Sequence, residues 1–236
     1  MEEIPLRGFA TIGTVRVGDT VRKPPLRRTA FVVELLRHLE RVGFDGAPRF
    51  LGFDERGRLM LGYVEGEVPE NLDGGGAPDE QLREVARLIR RFHDVTAGSA
   101  VAGTAEVACH NDLSPDNTVY RDGQPIALID WDNAAPGSRV DDVAYAAWLY
   151  LDLGADSLTA DQQRPRLRLF GEAYGLAGGT DLAGAVVERV RRNLRELEEA
   201  LAERPEHVDL EFVEHAIGWN RDQLAWLERN AAALRL

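Results

Sequence analysis

The chain of 236 residues is short of several things, and each shortage excludes something. A single cysteine, Cys109, leaves no intramolecular disulfide framework and no multi-cysteine zinc site. No apolar run approaches the ~20 residues a membrane-spanning helix needs. The opening residues MEEIPLRGF are acidic and lack an apolar stretch, so no secretory signal is expected and the cytosol is the expected compartment. Lysine is scarcer still: Lys23 is the single lysine among 28 basic residues. Charged residues make up 29% and hydrophobic residues 44% of the chain, a balance that excludes global disorder. A chain of this length buries about 70–75% of its unfolded surface and needs no staple to hold a core.

Positive charge is lacking in one part only. Residues 1–65 carry 11 Lys+Arg against 9 Asp+Glu, whereas the remaining 171 residues carry 17 against 31, a net of −14. Such a body repels phosphate backbones, so nucleic acid is not an expected partner, and neither is a membrane. It suits either simple solubility or a cationic ligand.

The first part reads as short strands and one helix. Ile12–Val17 and Thr20–Lys23 flank Gly18-Asp19, a hairpin signal, and Pro24-Pro25 ends the second strand. Thr29 is a candidate cap for a helix with Val32, Leu35, Leu36 and Leu39 on one face, ending at Gly43. Residues 49–54 and 58–64 form a second hairpin around Glu55-Arg56-Gly57. Together these predict a compact α+β lobe over 1–64. A second lobe, 65–236, begins with a loop at 71–79 and a helix capped by Asp79, with Leu82, Val85, Ala86, Ile89 and Phe92 at helical spacing. A hairpin from Thr118 to Asp130 turns at Asp122-Gly123, and about four helices follow from Val140.

Chemistry concentrates in residues 109–132, CHNDLSPDNTVYRDGQPIALIDWD. The pattern is H-x-D-x-x-x-x-N, with I-D-W-D closing the hairpin, so that Asp130 falls 13 residues after Asn117. A hairpin returns on itself, which brings Asp130 back toward Asn117 and gathers two carboxylates and one amide. Hard oxygen ligands of this kind suit Mg²⁺, leaving Asp112 for proton handling.

These residues resemble the aminoglycoside phosphotransferase and choline-kinase-like family, a branch of the protein-kinase-like fold. The resemblance implies a two-lobed α+β kinase-like architecture, with a small β-rich N-lobe and a mostly helical C-lobe. It implies Asp112 as catalytic base, His110 as support for its loop, and Asn117 and Asp130 as magnesium ligands. PGSRVDDVAYAAW resembles the family's P-G-x-R-x-x-D-L-A segment, which implies that Asp142 braces the catalytic loop. The cofactors implied are ATP or GTP with Mg²⁺. The reaction implied is transfer of a γ-phosphoryl group to a hydroxyl of a small acceptor; the net −14 suits an aminoglycoside or amino-alcohol.

Phosphate contacts are expected from the backbone of Gly8–Gly13 and from a cation on the third strand, either Lys23 or Arg22. The partner expected for that cation is a glutamate on the following helix. Relatives place it where this chain has Val32, and Glu34 is the nearest replacement. Asp132 reads either as a further contact to metal or substrate or as a surface carboxylate. His93 and Cys109 read as structural, and Trp148, Trp219 and Trp226 read as core or as a cation–π face. A nucleotide-binding pseudokinase acting on a partner is the competing reading, disfavoured because Asp112, Asn117 and Asp130 are all present. A protein kinase is disfavoured by the lack of an A-P-E segment.

Overall fold

The computed structural model describes residues 2–6, 13–69, 76–155, 157–204 and 209–235. Its first part is an antiparallel sheet of β1 (Ile4–Pro5), β2 (Val15–Val17), β3 (Thr20–Lys23), β4 (Phe50–Phe53) and β5 (Leu59–Gly62), in the order β1-β2-β3-β5-β4. β2 and β3 join at Gly18-Asp19, with Val17 opposite Thr20, where the turn chemistry places them. Helix α1 (Thr29–Arg41) follows β3 and buries Val32, Leu35, Leu36 and Leu39. Thr29 is not its cap. It is the first helical residue, and its hydroxyl accepts the Leu26 N–H at 2.7 Å.

The second part opens with α2 (Asp79–Thr96), whose buried face is Leu82, Val85, Ala86, Ile89 and Phe92. Asp79 lies inside the helix, and Pro78 occupies the cap position without a side-chain bond. β6 (Val107–Cys109) pairs with β9 (Ala135–Gly137). The latter is a strand that its Ala-Pro-Gly sequence conceals, since proline and glycine ordinarily argue against a ladder. Gly137 is required there: a Cβ would lie 2.7 Å from the Cys109 sulfur. β7 (Thr118–Arg121) and β8 (Gln124–Leu128) form the hairpin, with positive φ at both Asp122 and Gly123. Four helices complete the chain: α3 (Arg139–Tyr150), α4 (Ala160–Tyr174), α5 (Leu182–Glu203) and α6 (Leu210–Leu234).

One cluster of buried side chains runs from Leu35 and Leu36 on α1, through Phe92 and Trp131, to Trp226 and Leu227 on α6. Backbone bonds tie the segments before β4 and after β5 to the hairpin. Glu67 and Tyr120 exchange a pair at 2.8 and 2.7 Å, and Leu128 N–H donates to Gly46 O at 2.9 Å. Trp148 and Trp226 are core, whereas Trp219 is exposed and stacks on Trp148 with ring centroids 5.0 Å apart. Among the described residues no helix is long and apolar enough to cross a membrane.

Candidate active site

Two loops meet between β6 and α3, and both are pinned by buried groups. Asn111, directly after β6 and His110, has a left-handed backbone at φ 64. Its N–H and that of His110 donate to the Asp142 carboxylate at 2.7 and 2.8 Å. His93 Nε2 donates to the same carboxylate at 3.0 Å, and its Nδ1 takes the Tyr174 hydroxyl at 2.8 Å. Burial opposes the charge on Asp142, but His93 and the loop N–H groups outweigh it and hold the carboxyl below its ordinary value.

His110 is fully buried. Its Nε2 donates to the Ile129 carbonyl at 3.0 Å and its ring packs on Trp131. Burial holds the imidazole below its ordinary pKa, so it serves as a neutral donor. The side chain touches backbone rather than an open cleft, which makes His110 a positioning residue for the strand end that leads into Asp130.

Asp112 stands at the front of this loop. One carboxylate oxygen accepts the Tyr145 hydroxyl at 2.9 Å, and the other faces the Asn133 amide at 3.4 Å. Burial, aided by the charge of Asp130, pushes its carboxyl up to about 6. Asn117 ends a short 3₁₀ turn. Its side-chain N–H donates to the Asp112 carbonyl at 3.0 Å, and its own carbonyl accepts the Ile129 N–H at 2.9 Å. The hairpin therefore does return residue 130 to Asn117. Asp130 itself has a left-handed backbone at φ 62, which turns the chain sharply out of β8.

Of the two candidate cations, the structure brings Lys23 to this loop. Its ammonium lies 2.5 Å from Asp130 and 2.6 Å from Asp132, and the residue is 5% exposed. Burial disfavours the charge on Lys23, but the two carboxylates outweigh it and raise its pKa. Asp130 is held below its ordinary value by Lys23 against the cost of burial. Arg22 alternates to the other side of the strand, where its buried Nε has no partner. Gly13 takes φ 95 at the entry to β2, and Gly8 lies outside the described residues. Glu34 is exposed and is not the partner of Lys23. Asp132 is, and it is no surface carboxylate.

Three further residues belong to the site. Tyr145 lies three positions after Asp142, hence on the same face of α3, and that spacing was a signal that it would reach Asp112. Asn133 directly follows I-D-W-D and binds both Asp112 and, through its carbonyl, the Asn111 amide at 3.0 Å. Arg189 from α5 donates to the Asn111 carbonyl at 3.1 Å and stands 4.5 Å from the Tyr145 ring centre. Nothing local in the sequence marks it.

The donor set fits a hard divalent cation. Asn117 commits its amide N–H to Asp112 and offers its amide oxygen, and Asp130, one residue past the Ile129 N–H that the Asn117 carbonyl accepts, offers a charged carboxylate.

A sequence profile of the phosphotransferase enzyme family matches residues 97–185, the stretch that carries both loops and α3. The trifolitoxin immunity protein of Rhizobium leguminosarum bv. trifolii is 30% identical over 253 aligned positions, which cover 96% of this chain and 95% of that one. Among solved structures, a choline/ethanolamine kinase family protein from Mesorhizobium loti superposes with a TM-score of 0.60 at 14% identity, covering 99% of this chain and 92% of its own. A spectinomycin phosphotransferase, APH(9)-Ia, in complex with ADP and spectinomycin gives 0.61 at 10% identity, covering 100% and 93%. The two structures share the kinase-like fold with this chain, and together with the profile and the full-length relative they establish that it belongs to the phosphotransferase enzyme family, the small-molecule kinases of protein-kinase-like fold.

Proposed function

We propose that the chain transfers the γ-phosphoryl group of ATP or GTP, with Mg²⁺, to a hydroxyl of a small molecule. The nucleotide lies between residues 1–64 and 65–236, and the compartment is the cytoplasm, where that nucleotide is plentiful. The observation that carries this reading is the Asp112 carboxyl, held by Tyr145 and raised to about 6. A base with a pKa near neutrality is ionised at working pH and still binds a proton usefully. Asp112 accepts the proton of the acceptor hydroxyl as its oxygen bonds to phosphorus and the bond to the leaving diphosphate breaks. His110 holds the loop. Asn117 and Asp130 hold Mg²⁺, which when bound neutralises phosphate charge. Lys23 and the backbone at Gly13, with that at Gly8, bind phosphate oxygens. Most of the acceleration comes from positioning and charge neutralisation, since the transferring group makes few covalent demands on the protein.

The acceptor is an amine-bearing alcohol or aminoglycoside, its ammonium held by close contacts around the Asp112 carboxylate rather than by the net charge of the surface. The immunity role in the name of the full-length relative supports a toxic or antibiotic compound as the acceptor. The test is a screen of Mg·ATP and Mg·GTP against aminoglycosides, amino-alcohols, sugars and toxin peptides. It reads acceptor-dependent diphosphate release and the mass of the phosphorylated product, with Asp112→Asn as control. Nucleotide binding without transfer to any acceptor would favour a second reading, a nucleotide-binding regulator of a partner protein. The observation on its side is that Lys23 closes on the metal aspartate in this structure.

A further inference from the structure

The ammonium of Lys23 is shared between two carboxylates that come from one turn, Asp130 at 2.5 Å and Asp132 at 2.6 Å. The two are not equivalent. Asp130 precedes the turn in a left-handed conformation, and its side chain is about one-third exposed, at 35%. Asp132 lies inside the 3₁₀ turn Trp131–Asn133, and its side chain is 18% exposed. Trp131 between them is buried, and its indole N–H is fixed on the Leu128 carbonyl at 2.9 Å. The turn is thus anchored at its centre, and Asp132 is the carboxylate with less freedom to leave.

α1 packs against this same turn and supplies no competitor. Its buried side chains are Val32, Val33, Leu35, Leu36, His38 and Leu39. Its acidic residues, Glu34 and Glu40, are exposed, and Glu40 faces Arg49. Among the described residues, Lys23 therefore has no carboxylate partner outside the 130–132 segment.

We propose that Asp132 is the positioning residue of Lys23: it holds the ammonium for the nucleotide phosphates and frees Asp130 to serve the metal. This rests on the phosphotransfer reading above and goes beyond it, because it gives the I-D-W-D segment two tasks. The first aspartate turns to the cation and the second keeps the lysine. A lysine held by Asp130 alone would lose its partner whenever the metal bound, and a buried ammonium without a partner is costly.

Lys23 is the single lysine of the chain, which makes the test direct. Protein labelled with [6-¹³C]lysine gives one side-chain signal, and that signal reports the surroundings of the ammonium without any assay of turnover. The probes are EDTA, Mg²⁺ alone, and Mg²⁺ with a non-hydrolysable ATP analogue, the last also followed by calorimetry. Asp132→Asn should displace the signal in the nucleotide-free chain and weaken binding of the Mg·analogue about tenfold, as loss of a short charge-assisted bond requires. Asp132→Glu, which keeps the charge, should bind within about threefold of wild type. Asp130→Asn should abolish the gain in affinity that Mg²⁺ confers while leaving Lys23 restrained. Folding of each variant is checked by thermal melting, and Asp132→Glu alone suffices if Asp132→Asn does not fold: affinity lost as fully as with a deleted lysine charge, Lys23→Met, overturns the proposal. So does wild-type affinity and an unmoved signal in Asp132→Asn. A wild-type chain that binds no nucleotide refutes phosphotransfer itself; a chain that binds it regardless of residue 132 refutes only the role of Asp132.

Discussion

Replacing Asp112 by asparagine separates what the residue does for the reaction from what it costs the fold. Its carboxyl is pushed up to about 6 by burial and by Asp130, with Tyr145 and Arg189 pulling the other way. The consequence for stability follows from linkage. Below the ordinary aspartate value, about 3.8, folded and unfolded chains both hold the proton and nothing is lost. As pH rises toward about 6 the unfolded chain ionises first, and stability falls; above that both forms are ionised and the whole penalty stands. Realised in full, the displacement amounts to about 3 kcal/mol, and solvent reaching the half-buried residue reduces it to about 1–2 kcal/mol. Asparagine has the same size and does not titrate. In EDTA without nucleotide, Asp112→Asn should therefore exceed wild type by about 1–2 kcal/mol at pH 8, or about 2–8 °C in melting midpoint, with the difference gone near pH 4. Phosphotransfer should fall by about 10²–10⁴ while nucleotide affinity is nearly kept. Urea unfolding across pH 4–8 and a single-turnover assay check both halves. A variant less stable than wild type at pH 8, or one equally stabilised at both ends, would refute the burial argument; wild-type turnover would remove Asp112 from the chemistry.

Asp142→Ala should be severe, because the fully buried carboxylate accepts from His93 and from the loop N–H groups of His110 and Asn111. A loss of about 3–5 kcal/mol by chemical denaturation is expected, and one under about 1 kcal/mol would contradict its role as the brace of the loop. Tyr145→Phe keeps the ring against Trp148 and Arg189 and removes only the bond to Asp112, so stability should change by about 1 kcal/mol or less. Because that bond lowers the Asp112 value, its loss should carry the acid limb of the turnover profile to higher pH, and a limb that stays or moves down would show that Tyr145 does not face the base.

The parts of this molecule legible in its sequence are those written in local patterns. The Gly18-Asp19 and Asp122-Gly123 turns, the apolar stripes of α1 and α2, and the return of Asp130 to Asn117 all follow from neighbours in the chain. What was hidden depends on distant partners. β9 exists because Gly137 lets the backbone approach Cys109, and an Ala-Pro-Gly segment gives no sign of it. The choice of Lys23 over Arg22 turns on which side of β3 faces the 130–132 segment, a matter of sheet orientation rather than of spacing. Asp132 reads either as a contact to metal or substrate or as a surface carboxylate, and its partner Lys23 is not legible because it lies 109 residues away. Thr29 and Asp79 were good caps by composition, yet each helix begins one residue earlier than a cap there would allow. Arg189, on α5, enters the site only through tertiary packing.

The same distinction between a sum and its distribution bears on the acceptor. A net of −14 over residues 66–236 suggests a cation-seeking surface. Pairs such as Glu84–Arg87, Asp94–Arg90, Glu172–Arg168 and Glu188–Arg191 are neutral in sum, so that net is the excess of carboxylates beyond the pairs, spread along the chain rather than gathered at one site. Paired and solvated charges of this kind contribute little field beyond their own neighbourhood, and salt screens what remains over about 8 Å. Beside Asp112, α5 delivers the buried Arg189, set against Tyr145 and itself paired with Glu196 at 3.4 Å. Recognition of an amine-bearing acceptor must then rest on close contacts to Asp112 and to side chains within a few ångströms of it. Close contacts exclude the counterions that screen an open surface. The Michaelis constant for such an acceptor should change by less than about twofold between about 0.05 and 0.5 M salt. A constant that rises steeply with salt, while that for Mg·ATP holds still, would show that the distributed charge does steer the acceptor.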